Sequence, residues 1–393
     1  MLRVKMYPAR NGDAFLVQAS GSHLLIDAGY ASTFNDHILK DLREMASAGD
    51  ALDLVICTHI DKDHIGGMLE FLSANGPQAA RSIIAVKEVW HNSLRSLPSA
   101  PGAPGAPDSK SDRQLLEAIQ RRGFLLPPAA GPAANPISAK QGSSLATLLK
   151  HERYLWNSGD GSRCITSDRP PHPLPNGVQV QLVGPPIARL QELRSWWLTQ
   201  MRKLSYRGGA AVDALVEDAY EMLCASTREP TPATMKTISS GDSKTLLNLH
   251  APDISPTNGS SIAFVIESEG KRLLFLGDAW AEDIVAELQR HRGDHAPQMF
   301  DAIKVSHHGS KHNTSVDLLS LIDAPVFLVS SNGSSHNHPD FEVLAEIVDR
   351  PAPFSRTIHF NYETSASTRL RSHASKFGAK FSVEVAQDGW IHV

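Results

Sequence analysis

Apolar positions along the chain follow two rhythms. Short Val-, Leu- and Ile-rich runs over Leu2 to Tyr7, Ala14 to Ala19 and His23 to Ile26, punctuated by Asn11-Gly12 and Gly21-Ser22, predict three strands joined by turns. A helical period follows from about Thr33 to Met45, with Ile38, Leu39 and Leu42 on one face. Leu52 to Cys57 is continuously apolar, as in a strand buried on both faces, and it ends in Thr58-His59. Ile65 through Leu72 reads as helix and Ile83 to Val89 as a further strand. The strand grammar returns at Val178 to Val183. It resumes after Asn258 with a hairpin, Ser261 to Glu267 and Arg272 to Leu276, across Glu269-Gly270. A helix over Ala281 to Arg290, strands over Ala302 to Val305 and Val326 to Val329, and a helix from about Phe341 to Val348 come next. Strands over Arg356 to Phe360 and Phe381 to Val385 complete the expected elements.

Between these stretches the rhythm breaks. Leu97 to Asp108 and Leu126 to Pro136 are rich in Pro, Gly and Ala, which predicts linker or surface loop around a short helix at Gln114 to Gln120. Ile187 to Leu204 and Val212 to Leu223 are strongly helical, and Arg228 to Asn258 is polar and Pro/Ser-rich. Residues 1–393 therefore read as one catalytic scaffold carrying insertions at about 93–175 and 186–257. Strands alternate with helices in both halves, so sheets sandwiched between helices are expected, with chemistry at strand ends.

Composition narrows the class. Of 393 residues, 41% are hydrophobic and 20% charged, enough for a sizeable core. The formal net charge of −4 offers no global basic field, so a polyanionic substrate would have to be attracted locally. Cys57, Cys164 and Cys224 have neither paired metal spacing nor a disulfide framework. The first residues lack an apolar signal-peptide core and no run is long enough to span a bilayer, so a cytoplasmic protein with no membrane partner is expected.

The chemistry concentrates in four places. His59-Ile60-Asp61-Lys62-Asp63-His64 puts four potential metal ligands into six positions after a buried strand. Two carboxylates and two imidazoles so close ask for a cation. Gly277-Asp278 ends the strand Leu274 to Leu276, His307-His308-Gly309-Ser310 follows the strand ending at Val305, and Asn337-His338-Pro339 comes later. Singly, each of the last three reads as an ordinary turn or loop. All four in this order, each after an apolar run, are specific. Trp90-His91-Asn92 follows a strand as rim or as core packing. Arg189, Arg194, Arg202, Lys203 and Arg207 form either a phosphate-contacting face or, with more weight, the solvated side of a helix with Leu190, Leu193, Trp197 and Leu204 inward.

With these motifs the chain resembles the metallo-β-lactamase superfamily, and more closely the nuclease-like domain of ComEC-type competence proteins and their free-standing relatives. Gly12-Asp13-Ala14, Asp27-Ala28-Gly29, the His59 run, Gly277-Asp278, His307 to Ser310 and His338-Pro339 carry the resemblance, over about residues 1–92 and 258–365. It implies a four-layer αββα sandwich, two divalent metal ions, and a water activated for attack on a phosphodiester of a nucleic acid or nucleotide-like molecule. His59 and Asp61 would hold one ion, Asp63 and His64 the other, with Asp278 between them and His307, in preference to His308, completing the second. Asp27 would orient a ligand from beneath. Asp63 would orient the water, and His308 or His338 would supply a proton to the leaving oxygen. Lys304 and Lys311, flanking the histidine pair, are placed to meet an anionic substrate.

Two departures bear on the metal. Asp61 stands where many members have His, although ComEC-type sequences also place Asp there. The usual third histidine has no counterpart, Asn258 to Ser261 occupying its neighbourhood. An oxygen-rich donor set favours Mn²⁺ or Mg²⁺ beside Zn²⁺. Hydrolysis of a lactone or thioester on the same metals, or a silent member that binds a partner through the helical insertion, remain open at this stage. The retained ligand set weighs against the silent reading.

Overall fold

The computed structural model describes residues 2–98, 109–122, 144–208, 213–226, 245–290, 297–334, 337–385 and 389–393. Two mixed sheets lie face to face. The first runs Trp390–His392, Leu2–Met6, Ala14–Ala19, Ser22–Ala28, Leu54–Ile56, Val89–Trp90. The second runs Phe381–Val385, Arg356–Phe360, Val326–Val329, Ala302–Lys304, Lys271–Phe275, Ala263–Ser268, Gln179–Gly184, His172–Pro173. Between them lies an apolar layer containing Val4, Val17, Leu24, Ile56, Trp90, Ile262 and Leu328. Phe15 meets Phe275 edge-on and Phe264 stacks on Phe275, both with centroids 5.5 Å apart.

Helices cover both outer faces, giving the αββα order. On the first sheet lie the helical run Ala31–Thr33, Phe34–Ile38 (a π-helical stretch) and Leu39–Ser47, and the helix Lys62–Asn75. Their apolar faces share one core with Leu145–His151, Ile187–Lys203 and Ala214–Ser226. On the second sheet lie Ala281–Arg290, Val316–Leu321, Phe341–Asp349 and Ser365–Arg371.

Most predicted elements are present, several with the same bounds. The run predicted as one strand over Leu52 to Cys57 breaks at Asp53. Ala51–Leu52 pairs with Ala85–Val86, while Leu54–Ile56 joins the main sheet. The break is polar in origin, because Asp53 is turned to accept the His23 amide at 2.8 Å. Leu246–Leu249 and Pro256–Gly259 are single helical turns within the stretch expected to be loop. Of the Pro-rich linkers, 99–108 and 126–136 lie outside the described residues. Trp390–His392 pairs with the strand at the opposite end of the chain, a non-local contact that short-range pattern does not reveal.

Strand direction assembles the site. Ser22–Ala28, Leu54–Ile56 and Val89–Trp90 are mutually parallel, as are Lys271–Phe275, Ala302–Lys304 and Val326–Val329. Their carboxyl ends therefore deliver Asp27, His59, Asp278 and His307 to one edge of the sandwich.

Candidate metal centre

The loop after Leu54–Ile56 feeds directly into the helix Lys62–Asn75, so Asp61 stands at the N-cap position and Asp63 and His64 fall in the first turn. The helix can approach the first sheet this closely only because Gly67 lacks a side chain. Its amide donates to Gly29 O at 2.7 Å, and a Cβ would fall inside the van der Waals surface of the Ala28 carbonyl. Gly67→Ala is expected to cost about 1–3 kcal/mol by overpacking. Gly159→Ala, where a Cβ would meet open space, should be close to neutral in the same urea titration. Asp27, His307 and His308 have φ of 50°, 44° and 56°, the left-handed region that side chains disfavour by about 1–3 kcal/mol each. Strain therefore gathers at the residues that aim into the centre.

Asp278 is the focus. Its Oδ2 lies 3.5 Å from His64 Nε2, 3.5 Å from His308 Nε2, 3.7 Å from His307 Nε2 and 3.8 Å from His59 Nε2. Asp61 Oδ2 is 3.6 Å from His59 Nε2, and Asp63 Oδ2 is 3.8 Å from His308 Nε2. Among the described residues four sets of donor atoms are close enough to share an ion: His59, His64 and Asp278; Asp63, His64 and His308; Asp278, His307 and His308; and, beneath them, Asp13, Asp27 and His64. His308, rather than the favoured His307, is thus the histidine grouped with Asp63 and His64.

Each imidazole is held by its other nitrogen. His64 Nδ1 lies 2.8 Å from Asp27 Oδ2, His59 Nδ1 3.1 Å from Thr58 Oγ1, His308 Nδ1 2.9 Å from Ser330 O, and His307 Nδ1 2.7 Å from Asn313 Oδ1. Asp27 also accepts the Thr58 amide and hydroxyl, so it braces the histidine loop from beneath. Such outer contacts fix which nitrogen is presented to a metal.

The residues present fit a cation. The Nε2 atoms of His59, His64 and His308 are buried and have no hydrogen-bond partner among the described residues, as does Asp278 Oδ1. Buried polar atoms left without partners are costly, and a metal would satisfy this set. Charge points the same way. Asp13 and Asp278 flank the buried ammonium of Lys304, while Asp61 lies beside His59 and Asp63 beside His308, a negative excess that divalent ions would offset. Burial alone would raise the Asp278 carboxyl, but His308, His64 and His307 hold it well below the usual range.

Lys304 departs from its expected role. It is 1% exposed, because its ammonium is paired with Asp13 and donates to Gly277 O at 2.9 Å, which places it under the centre and away from substrate. Lys311 is paired with Asp340 at 2.8 Å on the rim. His338 stands beside His307, ring centroids 5.2 Å apart, with Nδ1 3.4 Å from Asp340 Oδ2. Burial, only partly countered by Asp340, pushes it down to about 4. At neutral pH it is uncharged, a hydrogen-bonding imidazole rather than a ready proton donor. Arg194 is buried against Leu97 O at 3.1 Å, and Leu204, expected inward, is 43% exposed. Trp90 packs between the sheets and His91 is buried against Glu221 at 2.8 Å, so this triplet is core.

Other contributors had gone without a role. Asp13 meets His308 Nδ1 at 3.2 Å, and Asn11 donates to Asp63 Oδ2 at 2.9 Å. Asn313, Asp253 and Thr257 brace the far side. The Gly12-Asp13-Ala14 motif and a lysine inside an apolar strand were the available signals for Asp13 and Lys304.

Residues 7–144 match the family model of the metallo-beta-lactamase superfamily. No curated protein matches the chain at a significant level. Similar solved structures include the metallo-beta-lactamase fold protein YhfI from Bacillus subtilis, at 9% identity, covering 100% of each chain with a TM-score of 0.37. Zn²⁺-bound PqqB from Methylobacterium extorquens is 13% identical over 97% of this chain and 87% of that one, TM-score 0.38. A protein of unknown function from Enterococcus faecalis V583 is 9% identical over 98% and 77%, TM-score 0.32.

Proposed function

We propose that this chain, which has the metallo-β-lactamase fold, is a hydrolase that uses two divalent ions, Zn²⁺ or Mn²⁺, to cleave a phosphodiester of a nucleic acid or nucleotide-like substrate. The observation that carries the metal-dependent reading is the convergence of three partnerless buried imidazole nitrogens on one carboxylate oxygen. The phosphodiester reading is supported by the ordered motifs shared with ComEC-type nuclease-like domains, from Gly12-Asp13-Ala14 to His338-Pro339.

His59 and Asp61 would hold one ion, Asp63, His64 and His308 the other, and Asp278 would lie between them. Bound there, the ions acidify a water and offset charge developing on a phosphoryl oxygen. Asp63, steadied by Asn11, lies beside His308 and can accept a hydrogen bond from the attacking water. His308, tied through Nδ1 to Ser330 O, keeps its ring fixed during that attack. His338 can donate a hydrogen bond to a non-bridging or leaving oxygen as a neutral imidazole. Lys311, beside Asp340, supplies positive charge at the rim.

Loading with Zn²⁺ or Mn²⁺ followed by elemental analysis is expected to give close to two ions per chain. The loaded protein is expected to hydrolyse bis-p-nitrophenyl phosphate and a single-stranded oligonucleotide in preference to a lactone. Folded protein that retains no metal would sink the metal reading. Lactone turnover without phosphodiester cleavage would sink the substrate class.

A further inference from the structure

The single turn at Pro256–Gly259 lies where the superfamily's third histidine would be sought, and the residues around it brace the centre from outside. Asn313 is the hub. It is fully buried, its Nδ2 donates to Asp253 Oδ2 at 2.9 Å and to the Asp278 carbonyl at 3.0 Å, and its Oδ1 faces His307 Nδ1 at 2.7 Å. Turning the amide over would set Oδ1 against two acceptors, so its polarity is fixed. Oδ1 must accept, His307 Nδ1 must carry the hydrogen, and His307 Nε2 presents its lone pair towards Asp278 Oδ2, 3.7 Å away. Asp253 is fixed in turn, Oδ1 accepting the Ser255 amide at 2.9 Å and Oδ2 accepting Asn258 Nδ2 at 2.8 Å. From the same segment the Thr257 hydroxyl donates to Asp61 Oδ2 at 3.2 Å.

We propose that Asp253 and Asn313 are a positioning relay that locks His307 in its Nδ1-protonated tautomer, pins the main chain of Asp278, and so makes His307 a donor to the metal centre. This rests on the metal-centre reading above. Among the four imidazoles around Asp278, only His307 has its tautomer set by an amide that is itself oriented by a carboxylate. The direction of the Asp253–Asn313 bond can therefore be reversed by exchanging the two side chains while an acceptor is kept on His307.

The test uses the full chain, zinc-loaded and labelled with ¹⁵N at histidine, with three readouts: histidine ring nitrogen shifts, zinc affinity by chelator competition, and kcat and KM on bis-p-nitrophenyl phosphate. Wild-type His307 is expected to be Nδ1-protonated. Asn313→Ala is expected to weaken zinc binding roughly 10–100-fold and lower kcat by a similar factor, with KM little changed. Asn313→Asp alone, which faces one carboxylate with another, should be no better. Combining Asn313→Asp with Asp253→Asn restores a donor–acceptor pair and keeps an acceptor on His307. Asn258, whose Oδ1 has no partner among the described residues, can turn its amide to receive the new donor. The exchange leaves a carboxylate oxygen against the Asp278 carbonyl, so it is expected to recover the Nδ1-protonated tautomer and part of the zinc affinity and kcat, clearly above Asn313→Asp alone. Nδ1-deprotonated His307 in the wild-type chain, or an exchange variant no better than Asn313→Asp, would overturn the relay. Should the tautomer and zinc affinities behave as stated while no phosphodiester is cleaved, the relay stands and the proposed substrate class falls.

Discussion

Asp278→Asn is expected to abolish turnover and empty the centre of metal while the protein stays folded. The carboxylate Oδ2 is within 3.5–3.8 Å of four imidazole Nε2 atoms, and among the described residues no other approaches as many of the candidate ligands. An amide supplies no charge, and in one orientation it would aim hydrogens at the same lone pairs that should meet an ion. Removing a single preorganised electrostatic group costs roughly 10²–10³ in kcat, and a carboxylate shared by both proposed ion sites should reach or exceed the upper end. The fold has separate anchors here. The Asp278 amide donates to Ser261 Oγ at 3.1 Å and its carbonyl accepts from Asn313, neither of which involves the side chain. Elemental analysis, bis-p-nitrophenyl phosphate kinetics and a urea titration on one preparation separate the outcomes. Wild-type turnover with metal retained would reduce Asp278 to a turn residue.

How much of this centre could be read in the chain depends on how local each feature is. The His59 to His64 run is compressed into one loop and one helical turn, so its composition alone announces a cation site. Asp278 and the histidine pair were legible as polar residues at the ends of apolar strands, because parallel strands bring their carboxyl ends to one edge. Which of His307 and His308 joins Asp63 was not legible. Two successive left-handed residues decide it, and a local sequence of His-His-Gly does not state which ring turns inward. Asp253 and Asn313 act across 60 positions and carry no local pattern of their own. Arg194 misled for a related reason. Helical periodicity placed it with the solvated arginines, whereas packing of the helix Ile187–Lys203 against Leu97 closes over it.

Lys304→Met is expected to have the largest effect on stability. The ammonium and the Asp13 carboxylate are buried together, with side chains 1% and 2% exposed. Burial opposes charge on Lys304, but Asp13 and Asp278 raise it above its ordinary value. On the other side, burial would raise Asp13, yet Lys304 and His308 hold it below the usual carboxylate range. Removing the lysine alone leaves a buried carboxylate uncompensated, which costs about 3–5 kcal/mol, a large part of a typical domain's margin. The double variant Asp13→Asn with Lys304→Met removes both charges and should cost much less, so the two changes are strongly non-additive. The sign with pH follows. A depressed Asp13 stabilises the wild-type fold above its unfolded pKa, and this stability is lost as pH falls through the folded value. Without Lys304, burial raises Asp13 instead, so the deficit of the variant is greatest near neutrality. It shrinks as pH falls through that raised value, above the ordinary carboxylate pKa of about 4, and the carboxyl protonates. Urea titrations of metal-free protein at several pH values measure this directly. Loss of a positive charge 3.6 Å from Asp278 Oδ1 should leave metal affinity unchanged or higher. A lysine that served substrate would give the opposite pattern, a raised KM with stability intact.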